Sequence, residues 1–249
     1  NTIRNSPSNN PIMKHQLTLL LMAFAAVLSF NAAADELSHY NLKLDDFHEL
    51  KVVDGINVDY HCDPARAGLV EFDALPAVAS AVIFEPGNGK LSIKLAASDT
   101  PYAGLPTVHV YSSFLSNVSN EGDSTVRVLS VAPGAKFSCR VMGNGLLSVR
   151  NVEASSVNAT ILSGRGMISI FGKCETATLK ITGAGQIQAD DLQATDVNCT
   201  ATGTGTIHCY ATRLLNVGGL SGKVFYRGAP TVKKRFLSAV KVNSIDASH

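Results

Sequence analysis

Cys139-Arg140-Val141-Met142-Gly143-Asn144-Gly145-Leu146-Leu147-Ser148-Val149 is one of four similar stretches in this chain. Its central Gly-x-Gly triplet returns as Gly164-Arg165-Gly166, Gly183-Ala184-Gly185 and Gly203-Thr204-Gly205, at spacings of 21, 19 and 20 residues. Self-similarity at a fixed period of this size outranks any local signal and points to stacked repeats. Aligned on the first Gly, the stretches form columns. Four residues before it stand Cys139, Thr160, Leu179 and Cys199. Two before it stand Val141, Leu162, Ile181 and Ala201. Four after it stand Leu147, Ile168, Ile187 and Ile207, and six after it Val149, Ile170, Ala189 and Cys209. The residues between are mostly polar, among them Arg140, Lys180, Thr200, Ser148, Gln188 and His208. Alternation with period two places the columns on one face of extended strands.

One such unit has too little apolar surface to fold alone, whereas stacked units share a core of Val, Ile and Leu ladders. The eight triplet glycines (143, 145, 164, 166, 183, 185, 203, 205) allow a sharp turn where a Cβ would obstruct. The expected fold is therefore all-β, a parallel β-helix-like solenoid with about 20 residues per coil. A leucine-rich repeat is excluded by the absence of its Leu-x-x-Leu-x-Leu pattern.

The series fades outward. Gly122-Asp123-Ser124 precedes it by 21 residues and Ser221-Gly222 closes it, so the repeats span about 118–230. Upstream, a strand-rich section is expected to begin or cap the stack. Leu50, Val52, Ile56, Val58 and Tyr60 alternate with polar neighbours around Asp54-Gly55. Ala81 to Phe84 and Leu91 to Leu95 flank a turn cluster containing Asn88-Gly89, a hairpin signal. Further upstream, Met13-Lys14, the apolar run Leu17 to Phe30 and Ala32-Ala33-Ala34 have the layout of a secretory signal peptide over 13–34. Residues 1–12 are read as upstream leader, and 35–249 as a single domain with no further run of spanning length.

These elements together resemble the head GIN domain family of auto-transporter adhesins. The resemblance rests on Val53-Asp54-Gly55-Ile56-Asn57-Val58, Gly89-Lys90-Leu91-Ser92-Ile93, the serial triplets, and the closing Tyr226-Arg227-Gly228-Ala229-Pro230. It covers about Phe47 to Pro230. Asn144, Arg165, Ala184 and Thr204 replace the family's usual middle Ser. The resemblance implies a β-helix-like fold in bacterial envelope proteins; it carries no catalytic residues.

Composition agrees with a binding or structural role. Lys+Arg 21 against Asp+Glu 20 gives no electrostatic case for nucleic acid. Neither CxxC nor HExxH occurs, and the neighbours His61-Cys62-Asp63 and His208-Cys209 point to opposite strand faces, so no metal or other cofactor is expected. Five cysteines (Cys62, Cys139, Cys174, Cys199, Cys209) leave an odd thiol in an oxidising compartment. Cys139 and Cys199 share a column but stand three coils apart, about 14 Å, beyond disulfide reach. Asp190-Asp191 is the one paired carboxylate worth weighing for glycoside cleavage, but no acidic column builds up around it, and a solvated turn accounts for it. The expected binding surface comprises Thr200, Thr202, Thr204 and Thr206, a hydroxyl row along one coil, and the basic cluster Lys233, Lys234 and Arg235. The expected function is a non-catalytic exported envelope protein, periplasmic or at the cell surface, binding glycan or envelope proteins. A polysaccharide-active enzyme on the same scaffold and a structural envelope protein are the alternatives.

Overall fold

The computed structural model describes residues 36–245, so the expected upstream leader at 1–12 and the expected signal peptide at 13–34 lie outside the described residues. The strands in chain order are β1 (Ser38–Lys43), β2 (Glu49–Val53), β3 (Asn57–Cys62), β4 (Leu69–Ala74), β5 (Val82–Gly87), β6 (Lys90–Leu95), β7 (Thr107–Ser112), β8 (Asn117–Glu121) and β9 (Thr125–Val128). They continue with β10 (Gly134–Met142), β11 (Leu146–Ser163), β12 (Met167–Gly183), β13 (Gln186–Gly203), β14 (Thr206–Gly219), β15 (Lys223–Arg227), β16 (Thr231–Lys234) and β17 (Lys241–Ser244). The fold is all-β, with 66% of the described residues in strands, and forms a β-solenoid of about six turns with ~20 residues between parallel bridges.

Each coil has two principal sides that meet at the Gly-x-Gly corner. The side before the corner, face A, is a parallel ladder running β6–β2–β8–β10 and then through the later halves of β11, β12, β13 and β14 to β16. The side after it, face B, runs β7–β3–β9 and then through the early halves of β11 to β14, ending on β15 and β17. The long strands bend between the two, at bulges beside Asn151 (φ 57) and Gly172 (φ 140). A short third ladder, such as Glu153↔Lys173↔Gln193, joins the sides there.

The interior consists of like side chains in register. On face A, Leu50, Val118, Cys139, Ala159, Leu179, Cys199 and Val217 form one column. On face B, Val58, Val126, Leu147, Ile168, Ile187, Ile207 and Val224 form another, every member fully buried. Burying each such side chain contributes about 1.5–3 kcal/mol. The corner demands glycine for two separate reasons. Gly203 has φ +117, and a Cβ there would lie 2.3 Å from the Gly183 carbonyl oxygen of the coil below. Gly205 has no positive φ, but its Cβ would meet Ile181 Cγ2 at 2.5 Å. The other triplets repeat this division: Gly143, Gly164 and Gly183 have positive φ, and Gly145, Gly166 and Gly185 are crowded by the coil below.

Two sequence columns need correction. Ala159 and Ile161, not Thr160 and Leu162, point inward, because the ladder slips by one residue between Val141/Met142 and Ile161/Ser163. The 21-residue spacing holds that extra residue. Thr160 instead pairs with Arg140 and Lys180 on the outer surface, and Leu162 is exposed. The far corner also departs from simple counting: Tyr210 pairs with Gln193, not Asp190.

The first coil of the chain is not the first layer of the stack. β2 and β3 lie between β6–β7 on one side and β8–β9 on the other. The chain between them leaves the stack through β4 and a short α1 (Pro76–Ala79), then returns through the antiparallel hairpin β5–β6. Asn88 (φ 52) and Gly89 (φ 72) close that hairpin, as the Asn-Gly pair predicts. β4 pairs antiparallel with β7, and β1 with β4, which covers the edge on face B.

Candidate functional site

The outer surface of face A is built from residues that alternate with the buried columns. Asn117, Ser138, Asn158, Thr178, Asn198 and Asn216 stand in one outward column. Ser119, Arg140, Thr160, Lys180 and Thr200 stand in the next. Register brings amides, hydroxyls and two cations to a strand spacing of about 4.8 Å along a parallel ladder. Asn216 Nδ2 donates to Asn198 Oδ1 at 3.0 Å, and Asn117 Nδ2 to Glu49 Oε1 at 3.2 Å. Asn117 Nδ2 also donates to Ser116 Oγ at 3.1 Å, which uses both of its hydrogens and leaves its carbonyl oxygen as the group to meet a ligand. At the β2 end the surface dips into a depression of about 370 Å³ whose rim includes Lys51, Lys90, Glu121, Arg140, Asn158 and Thr160. Lys51 Nζ and Glu121 Oε2, on the adjacent strands β2 and β8, pair at 2.6 Å.

The expected hydroxyl row does not lie on one plane. Thr200 and Thr202 are on face A, Thr204 is the exposed tip of the corner, and Thr206 starts face B. Hydroxyls do recur on the adjacent coil, where Thr182 pairs with Thr202. Lys233 continues the asparagine column beside Asn216, whereas Lys234 is in register with buried Val217 at the end of the stack. Arg235 lies over Gly218. The structure therefore brings Thr200 and Lys233 onto one surface and separates them from Thr204 and Thr206. The asparagine column was legible as the recurrence of Asn117, Asn158 and Asn198 at intervals of 41 and 40 residues, two coils apart.

Asp190 and Asp191 occupy the bulge of the far corner. Arg227 Nη1 donates to the Asp190 carbonyl at 3.3 Å and to Asp191 Oδ1 at 3.5 Å. Arg227 thus engages one carboxylate, that of Asp191, and reaches Asp190 only through its backbone carbonyl. On face B, Asp59 is buried and accepts from Arg127 Nε and Nη2, both at 2.6 Å. That bond holds the Arg127 guanidinium above its usual range. Beside it His61 Nε2 and His109 Nδ1 approach to 3.3 Å, and the His61 ring stacks on Tyr111 at 4.6 Å. Burial lowers the His61 pKa below 6.5, and neighbouring His109 lowers it further. Among the described residues no group of three His, Cys, Asp or Glu is placed to hold a metal.

Cys139, Cys199 and Cys209 are buried in the core, whereas Cys62 and Cys174 are half-buried against it. Burial pushes the Cys139 thiol up to about 12 and the Cys174 thiol up to about 11. Cys199 and Cys209 face each other across the coil interior with their sulfurs 4.0 Å apart, a pair that column spacing alone does not reveal.

A solenoid with serial glycine corners, an interleaved first coil and a closing Tyr226-Arg227-Gly228 is matched by the family model described as "putative auto-transporter adhesin, head GIN domain", over residues 46–230. The chain belongs to the head GIN domain family. Solved structures with this fold include a putative adhesin from Bacteroides fragilis, at TM-score 0.75 and 18% identity, covering 84% of this chain and 97% of that one. A putative lipid binding protein from Parabacteroides distasonis has TM-score 0.66 and 18% identity over 84% and 96% of the two chains. A putative adhesin from the same organism has TM-score 0.65 and 21% identity over 84% and 97%. A comparison with curated proteins finds no match. No helix among the described residues is long and apolar enough to cross a membrane.

Proposed function

We propose that this GIN-domain protein is an exported bacterial envelope protein that binds glycan in an adhesin-like manner through the outer surface of face A, without catalysing a reaction. The observation that carries this reading is the outward column of Asn117, Ser138, Asn158, Thr178, Asn198 and Asn216, flanked by Arg140 and Lys180. Amides and hydroxyls in fixed register match the alternating donors and acceptors of a sugar chain, and a rigid ladder presents them with little ordering cost on binding. The interior is filled by Val, Ile and Leu, which leaves the outside as the place for a ligand. The adhesin names of the family and its structural neighbours, together with the signal-peptide layout of 13–34, support export.

The test is a panel of bacterial and host polysaccharides, scored in the same wells for binding and for release of shortened products. Retention without products, weakened tenfold or more by Asn158→Ala with Thr160→Ala, is the expected result. Release of products abolished by Asp191→Asn would replace this reading with a polysaccharide-active enzyme. Binding indifferent to the face A substitutions would move the ligand elsewhere.

A further inference from the structure

Charge is polarised along the chain. Residues 36–196 contain 18 acidic and 12 basic side chains, whereas residues 197–249 contain seven basic and one acidic, Asp246. Of those seven, Arg213 pairs with Asp196 and Arg227 with Asp191. Lys223, Lys233, Lys234, Arg235 and Lys241 remain, all on the last two coils.

The same end bears the most exposed apolar side chains of the described residues. Phe236 is 93% exposed, Leu237 83% and Leu220 73%. They share the glycine corner. Leu220 follows Gly219 there, and the next turn, closed by Ser238 N–H donating to the Arg235 carbonyl at 3.0 Å, holds Phe236 and Leu237 at its tip. Ala239 N–H donates to the Gly219 carbonyl at 3.2 Å, which stacks the two turns. Leu237 has φ 66, an unfavourable conformation for a branched apolar residue. Cations flank this tip on both sides. Lys233 and Arg235 extend from face A, while Lys223 and Lys241 are neighbours in register on face B.

We infer that the Phe236–Leu237 corner is a membrane-docking tip that inserts into the interfacial region of an anionic lipid bilayer while the surrounding lysines and Arg235 engage its headgroups. Exposed apolar side chains ringed by cations match the layering of a lipid interface, apolar below and anionic above. A lipid surface receives such side chains without a shaped pocket. A second copy stacked on the end is the rival occupant, but Lys233 and Lys234 on edge strand β16 disfavour strand addition. The inference stands apart from glycan binding on face A except at Lys233, which continues the asparagine column of that face.

The chain contains no Trp, so Phe236→Trp supplies a single fluorescent reporter. With vesicles of phosphatidylcholine mixed with phosphatidylglycerol, its emission is expected to shift to the blue and the protein to sediment with the lipid. Neither is expected with phosphatidylcholine alone. Replacing both Phe236 and Leu237 by Ala should weaken sedimentation about tenfold or more. Lys233→Gln with Arg235→Gln should weaken it about 25-fold, at about fivefold per charge. Unchanged far-ultraviolet circular dichroism confirms that these variants fold. No lipid-dependent shift, equal binding to neutral vesicles, or undiminished binding of the double-Ala variant would overturn the inference. Concentration-dependent self-association in analytical ultracentrifugation, abolished by the same substitutions without lipid, would overturn it in favour of end-to-end stacking.

Discussion

The repeat section from β10 to β15 and the section from β1 to β9 use the same coil but hold it together differently. In the repeats, neighbouring layers are neighbours in sequence, and the core is a stack of near-identical aliphatic side chains such as Leu147, Ile168, Ile187 and Ile207. In the earlier section the layers come from distant segments. Leu50 lies between Leu91 and Val118, 41 and 68 residues away. There the core includes the buried aromatics Phe47, Tyr60 and Phe72, and polar groups fix the register. Tyr60 hydroxyl meets Ser112 Oγ at 2.7 Å, Asp59 grips Arg127, and fully buried Asn120 donates to the Ser124 and Leu146 carbonyls at 2.8 and 3.1 Å. Periodicity secures register in one section; particular polar contacts secure it in the other.

The largest effect should come from the repeat corner. Gly203→Val adds a branched side chain at φ +117 against a backbone oxygen 2.3 Å from the Cβ position. A loss of about 3 kcal/mol or more is expected, read as a lowered urea midpoint. A shift below 1 kcal/mol would show that coils slide past the clash. Leu179→Ala, in a column where every neighbour is buried, should cost about 3 kcal/mol through the cavity it leaves. Asp59→Asn, in the early section, should cost about 1–2 kcal/mol, since one partner of the Arg127 pair stays half-exposed and solvent screens it. If it cost more than Leu179→Ala, the division between aliphatic and polar control would be sharper than proposed.

The smallest effect is one of pH. His61 holds a proton less readily in the folded chain than its ordinary value of 6.5 allows. The unfolded chain therefore binds more protons as pH falls through 6.5. This contribution is fully present above 6.5 and is lost on going down toward the lowered folded value. The urea midpoint of the wild type should drop more steeply below pH 6.5 than that of His61→Gln. Parallel curves would assign the acid sensitivity to other groups.

This contrast also explains what the sequence discloses. The corner glycines and face B columns are legible because their spacing is nearly constant. One extra residue at the Met142/Ser163 slip is enough to exchange Ile161 for Leu162. The insertion of β2–β3 between later layers leaves no periodic trace, because its partners stand at unrelated distances. The asparagine column is visible in the sequence, but its membership of a polar surface depends on Ser138 and Thr178, which only register connects to it. Phe236 and Leu237 are exposed although Val240, three residues on, is buried, and nothing local in the sequence separates them.

The interleaved first coil constrains how such a protein can change in length over evolution. A duplicated stretch of about 20 residues inserted among β10 to β14 adds one storey and meets identical neighbours above and below. The same insertion near β2, β3, β6 or β7 would separate layers that must embrace a segment already in place. Growth and shrinkage are thus confined to the later coils. Relatives should differ in storey number there, while the opening segments keep a fixed plan, and each added storey would carry the terminal corner farther from the capped end.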